Sequence, residues 1–154
     1  MNQAHQFVVF TLDEQRYAVP LSAVERIVRM VEITPVPQTL EIVLGVINAQ
    51  GQIIPVVDIR KRLRLPAREP YPSDHLLIAR TAKRGVALVV DAVSEVVTLS
   101  SRDVVLGETI LAQLAYVTGV VKRPDGLILI HDFDRFLSLE EEQALHDAID
   151  SMTP

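Results

Sequence analysis

The chain has 154 residues, of which 49% are hydrophobic and 23% charged, and this composition excludes a disordered protein. Its net charge of −5 argues against a nucleic-acid partner held by phosphate contacts, and the absence of cysteine excludes disulfides, thiolate metal sites and cysteine nucleophiles. The longest apolar run, at residues 86–90, is too short to cross a membrane, and the polar residues 1–6 do not resemble a signal peptide. We therefore expect a cytoplasmic protein with no direct membrane insertion.

Short β-branched runs at the start of the chain predict a hairpin, a helical turn and a further strand. Residues 7–12 and 17–19 flank a polar turn and are typical of paired antiparallel strands. Pro20 suits the first position of a helical turn over residues 21–25, because its missing N–H has no partner there. Residues 26–33 predict the next strand.

A second hairpin is predicted where Gly51 separates two apolar runs, at residues 45–48 and 53–58. Pro55 lies inside the second run. Because proline has no N–H to donate to a ladder, we expect this strand at a sheet edge or at a bulge. Residues 59–63 predict a short helix.

The second half of the chain resumes the β-rich pattern after a proline-containing stretch, residues 64–75, which we interpret as a linker. Its predicted strands cover residues 76–80, 86–91, 93–99, 116–122 and 127–131. Ser138 and Glu141 form a capping box, and the apolar spacing that follows predicts a C-terminal helix over residues 138–152.

An internal repeat connects the two halves. With an offset of 69, residues 7–28 match residues 76–97 without a gap, and with an offset of 74, residues 45–63 match residues 119–137. The repeat predicts a mainly β fold of two tandem barrels, residues 7–63 and 76–137, each with short helices. Because a unit of this size is marginal alone, we expect the barrels to pack on each other and the C-terminal helix to join them.

Acidic and imidazole side chains cluster once, at His131, Asp132 and Asp134. Such groups ligate metals, but adjacent residues of a strand point to opposite faces, and Asp132 matches Asp58 in the repeat. The interpretation that Asp132 ends a strand or caps a turn is therefore favoured over a metal site. Nucleotide-binding and nucleophile-elbow motifs do not occur, and we expect no catalytic residue, cofactor or metal.

Residues 60–64 form the strongest run of positive charge. Two interpretations stay open: a solvated helix face, or a surface for an acidic protein partner.

Residues 45–60, GVINAQGQIIPVVDIR, resemble the Gly-x-x-Asn-Leu-Arg-Gly-x-x-x-Pro-x-x-Asp-Leu-Arg stretch of CheW-type chemotaxis coupling proteins. The opening hairpin, residues 86–93, residues 116–119 and the ending at 127–137 are also similar to that family. The resemblance covers about residues 7–137.

This resemblance implies two SH3-like five-stranded barrels that act as a scaffold between chemoreceptors and the regulatory domain of a histidine kinase. It places the receptor tip in a groove between the barrels and the kinase at the exposed barrel ends. The groove residues carried over from the family are Val24, Ile27, Asn48, Gln50, Gly51, Leu76 and Ala87. Gln50 stands where the family has arginine, so it keeps a hydrogen-bonding amide but lacks the charge.

Three functions follow from these observations. The first is a non-enzymatic adaptor that couples chemoreceptors to a histidine kinase of the CheA type. The second is the same scaffold in a non-chemotactic kinase pathway, and the third, from another class, is a small metal-dependent hydrolase using His131 and Asp132.

Overall fold

The computed structural model describes residues 5–36, 41–81, 84–100, 102–105, 117–131, 143 and 146–147. The strands of these residues are His5–Leu12 (β1), Gln15–Pro20 (β2), Val24–Arg29 (β3), Val43–Ala49 (β4), Gln52–Val57 (β5), His75–Arg80 (β6), Gly85–Val90 (β7), Ala92–Leu99 (β8), Val104–Val105 (β9), Val117–Arg123 (β10) and Gly126–His131 (β11). A 3₁₀ turn over Leu21–Ala23 joins β2 to β3, and a short helix, Ile59–Arg62 (α1), follows β5.

The strands form two sheets. Sheet A has the order β8-β1-β2-β11-β10-β9, and sheet B has the order β3-β6-β7-β5-β4. Neighbouring strands are antiparallel except for β2 with β11 and β5 with β7, which are parallel. The predicted mainly β fold with two five-stranded units is confirmed, with the two-residue β9 as an additional strand of sheet A.

The two units do not follow the predicted boundaries. Sheet A takes β1 and β2 from the first half of the chain, and sheet B takes β6 and β7 from the second half. The assignment of one barrel to residues 7–63 and the other to residues 76–137 is therefore wrong, because the halves exchange their opening hairpins. These hairpins are apolar on both faces, so both faces must be covered, and a central position between two interiors provides this.

The offsets of the sequence repeat recur in the pairing of the strands. Pairs in one sheet correspond to pairs in the other after a shift of 69 residues for the opening hairpins or 74 residues for the closing ones. Corresponding pairs are Phe7 with Val97 and Leu76 with Val28, and Gly119 with Ile130 and Gly45 with Val56. The two units thus share one register, including the position of each bulge.

Alternate faces of the strands bury three apolar clusters. The central cluster lies between the exchanged hairpins and contains Val8, Phe10, Leu12, Tyr17, Val19, Ile42, Val43, Val57, Ile59, Leu77, Ala79, Val86, Leu88 and Val90. The sheet A cluster contains Val9, Ala18, Val97, Leu99, Val121, Ile128 and Ile130. The sheet B cluster contains Ile47, Ile54, Val56, Leu76, Ile78, Ala87 and Val89.

Pro55 lies in an interior strand, which differs from the expected edge. Its strand β5 pairs with β4 on one side and with β7 on the other, so it is not at the edge of sheet B. The pairing with β7 involves only Val56 and Val57, directly after the proline. The missing N–H is tolerated because the second ladder begins after Pro55.

The stretch expected as a linker is anchored to the domain. Leu65 packs against the central cluster, and Arg68 is paired with the acidic side chains of Asp74 and Asp91. The predicted C-terminal helix lies mostly outside the described residues. Three of its positions, Gln143, His146 and Asp147, are helical.

Candidate protein-interaction site

The two candidate residues of strand β3 lie on a sheet edge. β3 has a neighbour on one side only, β6, and its side chains alternate between half-buried and exposed. Val24 is half-buried against the central cluster, and Ile27 is 40% exposed. Both side chains are therefore accessible to a partner.

Asn48, Gln50 and Gly51 meet at the turn between β4 and β5. Gln50 and Gly51 have φ of 52° and 86°, so both central positions of this two-residue hairpin are left-handed, as the twist of the strands requires. The Asn48 side-chain oxygen accepts the N–H of Gly51 at 3.0 Å. Because this bond fixes the turn, the Gln50 amide is presented on the exposed tip.

Leu76 and Ala87 do not lie in an accessible groove. Both side chains are 0% exposed and belong to the sheet B cluster. Leu76 is paired with Val28, and Val24 is paired with Ala79, so the assignment of Leu76 to an accessible groove shared with Val24 is wrong. The reason is the exchange of hairpins, which places this face of β6 and β7 inside sheet B.

Partly exposed apolar residues surround the central cluster. We call four of them the rim residues. They lie in the 3₁₀ turn before β3 and at the starts of β3 and β8, and they are Leu21, Ala23, Val24 and Val93. Val24 is paired with Ala79 and Val93 with Phe10, and both of these partners belong to the central cluster. The sequence interpretation omitted Leu21 and Val93, although the offset of 69 relates Val93 to Val24.

A cavity of about 480 Å³ adjoins the rim at Leu21. Its other lining residues are His5, Gln6, Phe7, Pro20 and Ser22. The cavity gives a bulky partner side chain room beside the rim.

A network of ion pairs, the Asp91 network, lies where the chain passes from β7 to β8. The Asp91 carboxylate accepts the backbone N–H of Asp13 at 2.8 Å and Nη2 of Arg60 at 2.9 and 3.1 Å. Arg68 donates to the same carboxylate and to Asp74 at 3.0 and 3.1 Å. Nη2 of Arg60 also lies 2.8 Å from the Asp13 carboxylate. These contacts join the β1–β2 turn, helix α1, the stretch over residues 68–74 and the residue that follows β7.

The Asp91 network keeps its members charged. Burial opposes the charged form of Asp91, but the Asp13 amide and the guanidinium groups of Arg60 and Arg68 together hold the pKa of its carboxyl below the ordinary value. Hydrogen bonding to Asp13 raises the pKa of Arg60, and hydrogen bonding to Asp74 raises the pKa of Arg68.

The basic run over residues 60–64 is divided between interior and surface. Only 6% of the Arg60 side chain is exposed, so for this residue both a solvated face and a contact with an acidic partner are wrong. Lys61 is exposed and donates to the backbone oxygen of Glu41 at 2.9 Å. Arg64 is exposed as well.

His131 is buried at the end of β11, and burial lowers its pKa to about 4. Asp132 and Asp134, its predicted companions, lie outside the described residues. Within the described part of the chain, no three potential metal-ligating side chains come together. In the same ranges, none of the helices has the length and apolar character needed to span a membrane.

Residues 6–141 match the CheW-like domain. The chain belongs to the CheW-like domain family. A chemotaxis protein CheW of Rhizobium meliloti is 32% identical over 145 residues, which are 93% of this chain and 94% of the relative. A chemotaxis protein CheW of Thermotoga maritima is 32% identical over 83% of this chain and 84% of its own length. The crystal structure of a CheW scaffolding protein from Thermoanaerobacter tengcongensis superposes with a TM-score of 0.78 at 28% identity, covering 90% of this chain and 91% of that one.

Proposed function

We propose that this CheW-like protein is a non-enzymatic adaptor that couples the cytoplasmic tips of chemoreceptors to the regulatory domain of a histidine kinase. The match to the CheW-like domain over most of the chain supports a scaffolding role in chemotaxis, as do relatives named for chemotaxis. Such a role places the protein in the cytoplasm at membrane-bound receptor arrays.

The rim residues carry the receptor part of this proposal. Leu21, Ala23, Val24 and Val93 are apolar, remain partly exposed and lie over the central cluster. A partner helix with an apolar stripe would bury them, and the neighbouring cavity would accept one of its larger side chains. Exposed Ile27 extends the apolar surface along β3. We therefore retain Val24 and Ile27 as receptor contacts and add Leu21 and Val93.

The tip of the β10–β11 hairpin supplies the surface that we assign to the kinase, and the equivalent β4–β5 tip, which carries Gln50, is left to the receptor. Ile53 is 43% exposed at the start of β5, and Leu127 is 47% exposed at the start of β11. The offset of 74 relates the two residues, so each unit presents a large apolar side chain directly after a hairpin turn. An apolar contact at Leu127 would leave both the rim and the Gln50 tip free for a receptor.

Two charge substitutions test the assignment by crossed controls. Val24→Asp would bury an unpaired carboxylate under a bound receptor tip, so we expect at least a tenfold loss of receptor affinity with kinase binding unchanged. For Leu127→Asp we expect the reverse pattern. Titration calorimetry with a receptor-tip fragment and with the kinase regulatory domain measures both. Loss of both affinities in one folded variant would contradict the division of surfaces.

Gln50 provides a test of receptor choice. Gln50→Arg adds a charged five-donor group to the exposed tip, and the left-handed backbone already accepts a non-glycine residue there. We expect tighter binding of a receptor tip that bears a carboxylate, through charge-assisted hydrogen bonds. Kinase binding without binding to any chemoreceptor tip would favour the scaffold of a non-chemotactic pathway.

A further inference from the structure

The chain enters the two equivalent rim strands in different ways. Before Val24 it passes through a 3₁₀ turn that has no side-chain cap and no buried residue, beside the 480 Å³ cavity. Before Val93 it passes through Asp91. The carboxylate of Asp91 accepts hydrogen bonds from the Asp13 amide and from the guanidinium groups of Arg60 and Arg68. The Val93 wall of the rim is thus held by the Asp91 network, whereas among the described residues the Val24 wall has the exposed pair of Glu25 with Arg80 at 3.6 Å.

The fold does not need the Asp91 network to set the register of a rim strand. The repeat replaces three of the charged members of the network, Asp91, Asp13 and Arg60, by Ser22, Ala82 and Asp134. Nevertheless β3 begins opposite β6 with the same bulge as β8 opposite β1. The ion pairs therefore provide something beyond the pairing that both units share.

The network acts directly on the backbone that leads into Val93. The N–H of Asp91 donates to the Thr11 oxygen at 3.0 Å, and its carboxylate accepts the Asp13 amide across the β1–β2 turn. Arg68 donates to the other oxygen of that carboxylate, and its guanidinium is also fixed by Asp74, which is 3% exposed. Because the Asp91 carboxylate is hydrogen-bonded to several segments, it restricts the motion of the backbone that leads into β8.

We propose that Arg68 is a positioning residue for partner binding: through Asp91 it fixes the Val93 wall of the rim, while the Val24 wall adjusts to the bound helix. This inference rests on the receptor contact proposed above. A fixed wall lowers the ordering cost of binding, whereas the 3₁₀ turn allows partners of different shape to be accommodated. Arg68 itself needs no contact with the partner.

Arg68→Gln tests this role, with Arg80→Gln as the matched control. Arg68→Gln leaves Asp91 paired with Arg60 and leaves Asp74 with the N–H of Tyr71, whereas Arg80 forms an exposed pair with Glu25 at 3.6 Å, and thermal melts check that both variants are folded. For Arg68→Gln we expect faster amide hydrogen exchange at residues 91–93, unchanged exchange at residues 22–25 and about tenfold weaker binding of a receptor-tip fragment. Arg68→Lys, which keeps the charge but not the fork, should give an intermediate affinity.

The outcomes separate this inference from the adaptor proposal. If the unmodified protein binds the receptor tip and Arg68→Gln binds equally well, the positioning role is wrong and the adaptor proposal stands. Equal acceleration of exchange in both rim strands would also overturn it, since a general loss of stability would then explain the result. If the unmodified protein does not bind the tip while the exchange pattern is as expected, the adaptor proposal is the one that fails.

Discussion

Ile130 of β11 lies opposite Ala18 of β2 in a parallel ladder that joins the last described strand to the opening hairpin. Val56 and Ala87, the equivalent residues of the other unit, are paired in the same way. Each unit is therefore completed by the hairpin of the other half. We expect a fragment of residues 1–67 to be unfolded by circular dichroism and to gain β structure when residues 68–154 are added. Cooperative melting of either fragment alone would contradict the exchange.

Leu76 contributes to stability, because its side chain is fully enclosed in the sheet B cluster. Leu76→Ala should lower the free energy of unfolding by about 2–5 kcal/mol, through lost burial and the cavity that remains. Ile27→Ala, on the exposed edge, serves as control and should change stability by about 0.5 kcal/mol or less. Chemical denaturation measures both. A Leu76→Ala protein as stable as the Ile27→Ala protein would argue against its interior position.

Arg60 should stabilise the fold more than the exposed members of its basic run do, because its side chain is buried and pairs with Asp13 and Asp91. Arg60→Gln leaves the Asp13 and Asp91 carboxylates with fewer partners and should cost about 2 kcal/mol in unfolding free energy. Arg64→Gln removes an equal charge from an exposed position four residues later and should have almost no effect. Equal effects of the two substitutions on the denaturation midpoint would mean that net charge, not the ion pairs, determines stability.

His131 should make stability depend on pH between about 4 and 6.5. Its pKa is about 4 in the folded chain against 6.5 for an exposed histidine, so below pH 6.5 the unfolded chain binds a proton that the folded chain does not. Stability is therefore complete above pH 6.5 and falls by about 3 kcal/mol as the pH decreases to 4. His131→Val introduces the residue of the equivalent position, Val57, and should remove this slope in melts recorded across that range. An unchanged slope would assign the effect to other groups.

Local features of the fold could be predicted from the sequence, whereas the partners of the central strands could not. The turn at Gly51 and the hairpins flanking it depend on neighbouring residues, and the offsets identify equivalent strands. The exchange of β1–β2 with β6–β7 depends on long-range pairing. The sequence of an apolar strand does not indicate which strand it pairs with. The groove position of Leu76 rests on the family resemblance alone, and a strand buried on both faces has no pattern that would show which side faces a partner protein.

The candidate site was predictable where exposure follows from an edge strand or a turn, as for Ile27 and Gln50. Val93 could have been found by applying the offset of 69 to Val24. The Asp91 network could not, because its members are spread from Asp13 to Asp91 and no spacing connects them. Ion pairs of this kind are set by the tertiary fold.

The central claim is that one chain holds a receptor and a kinase at the same time, and sedimentation velocity on the three-component mixture tests it most directly. The full-length protein is mixed with a receptor-tip fragment and the kinase regulatory domain, each labelled with a separate chromophore. We predict a boundary that contains all three components, which Val24→Asp depletes of receptor and Leu127→Asp depletes of kinase. Displacement of one partner by the other, or absence of both from the boundary of the protein, would contradict the account.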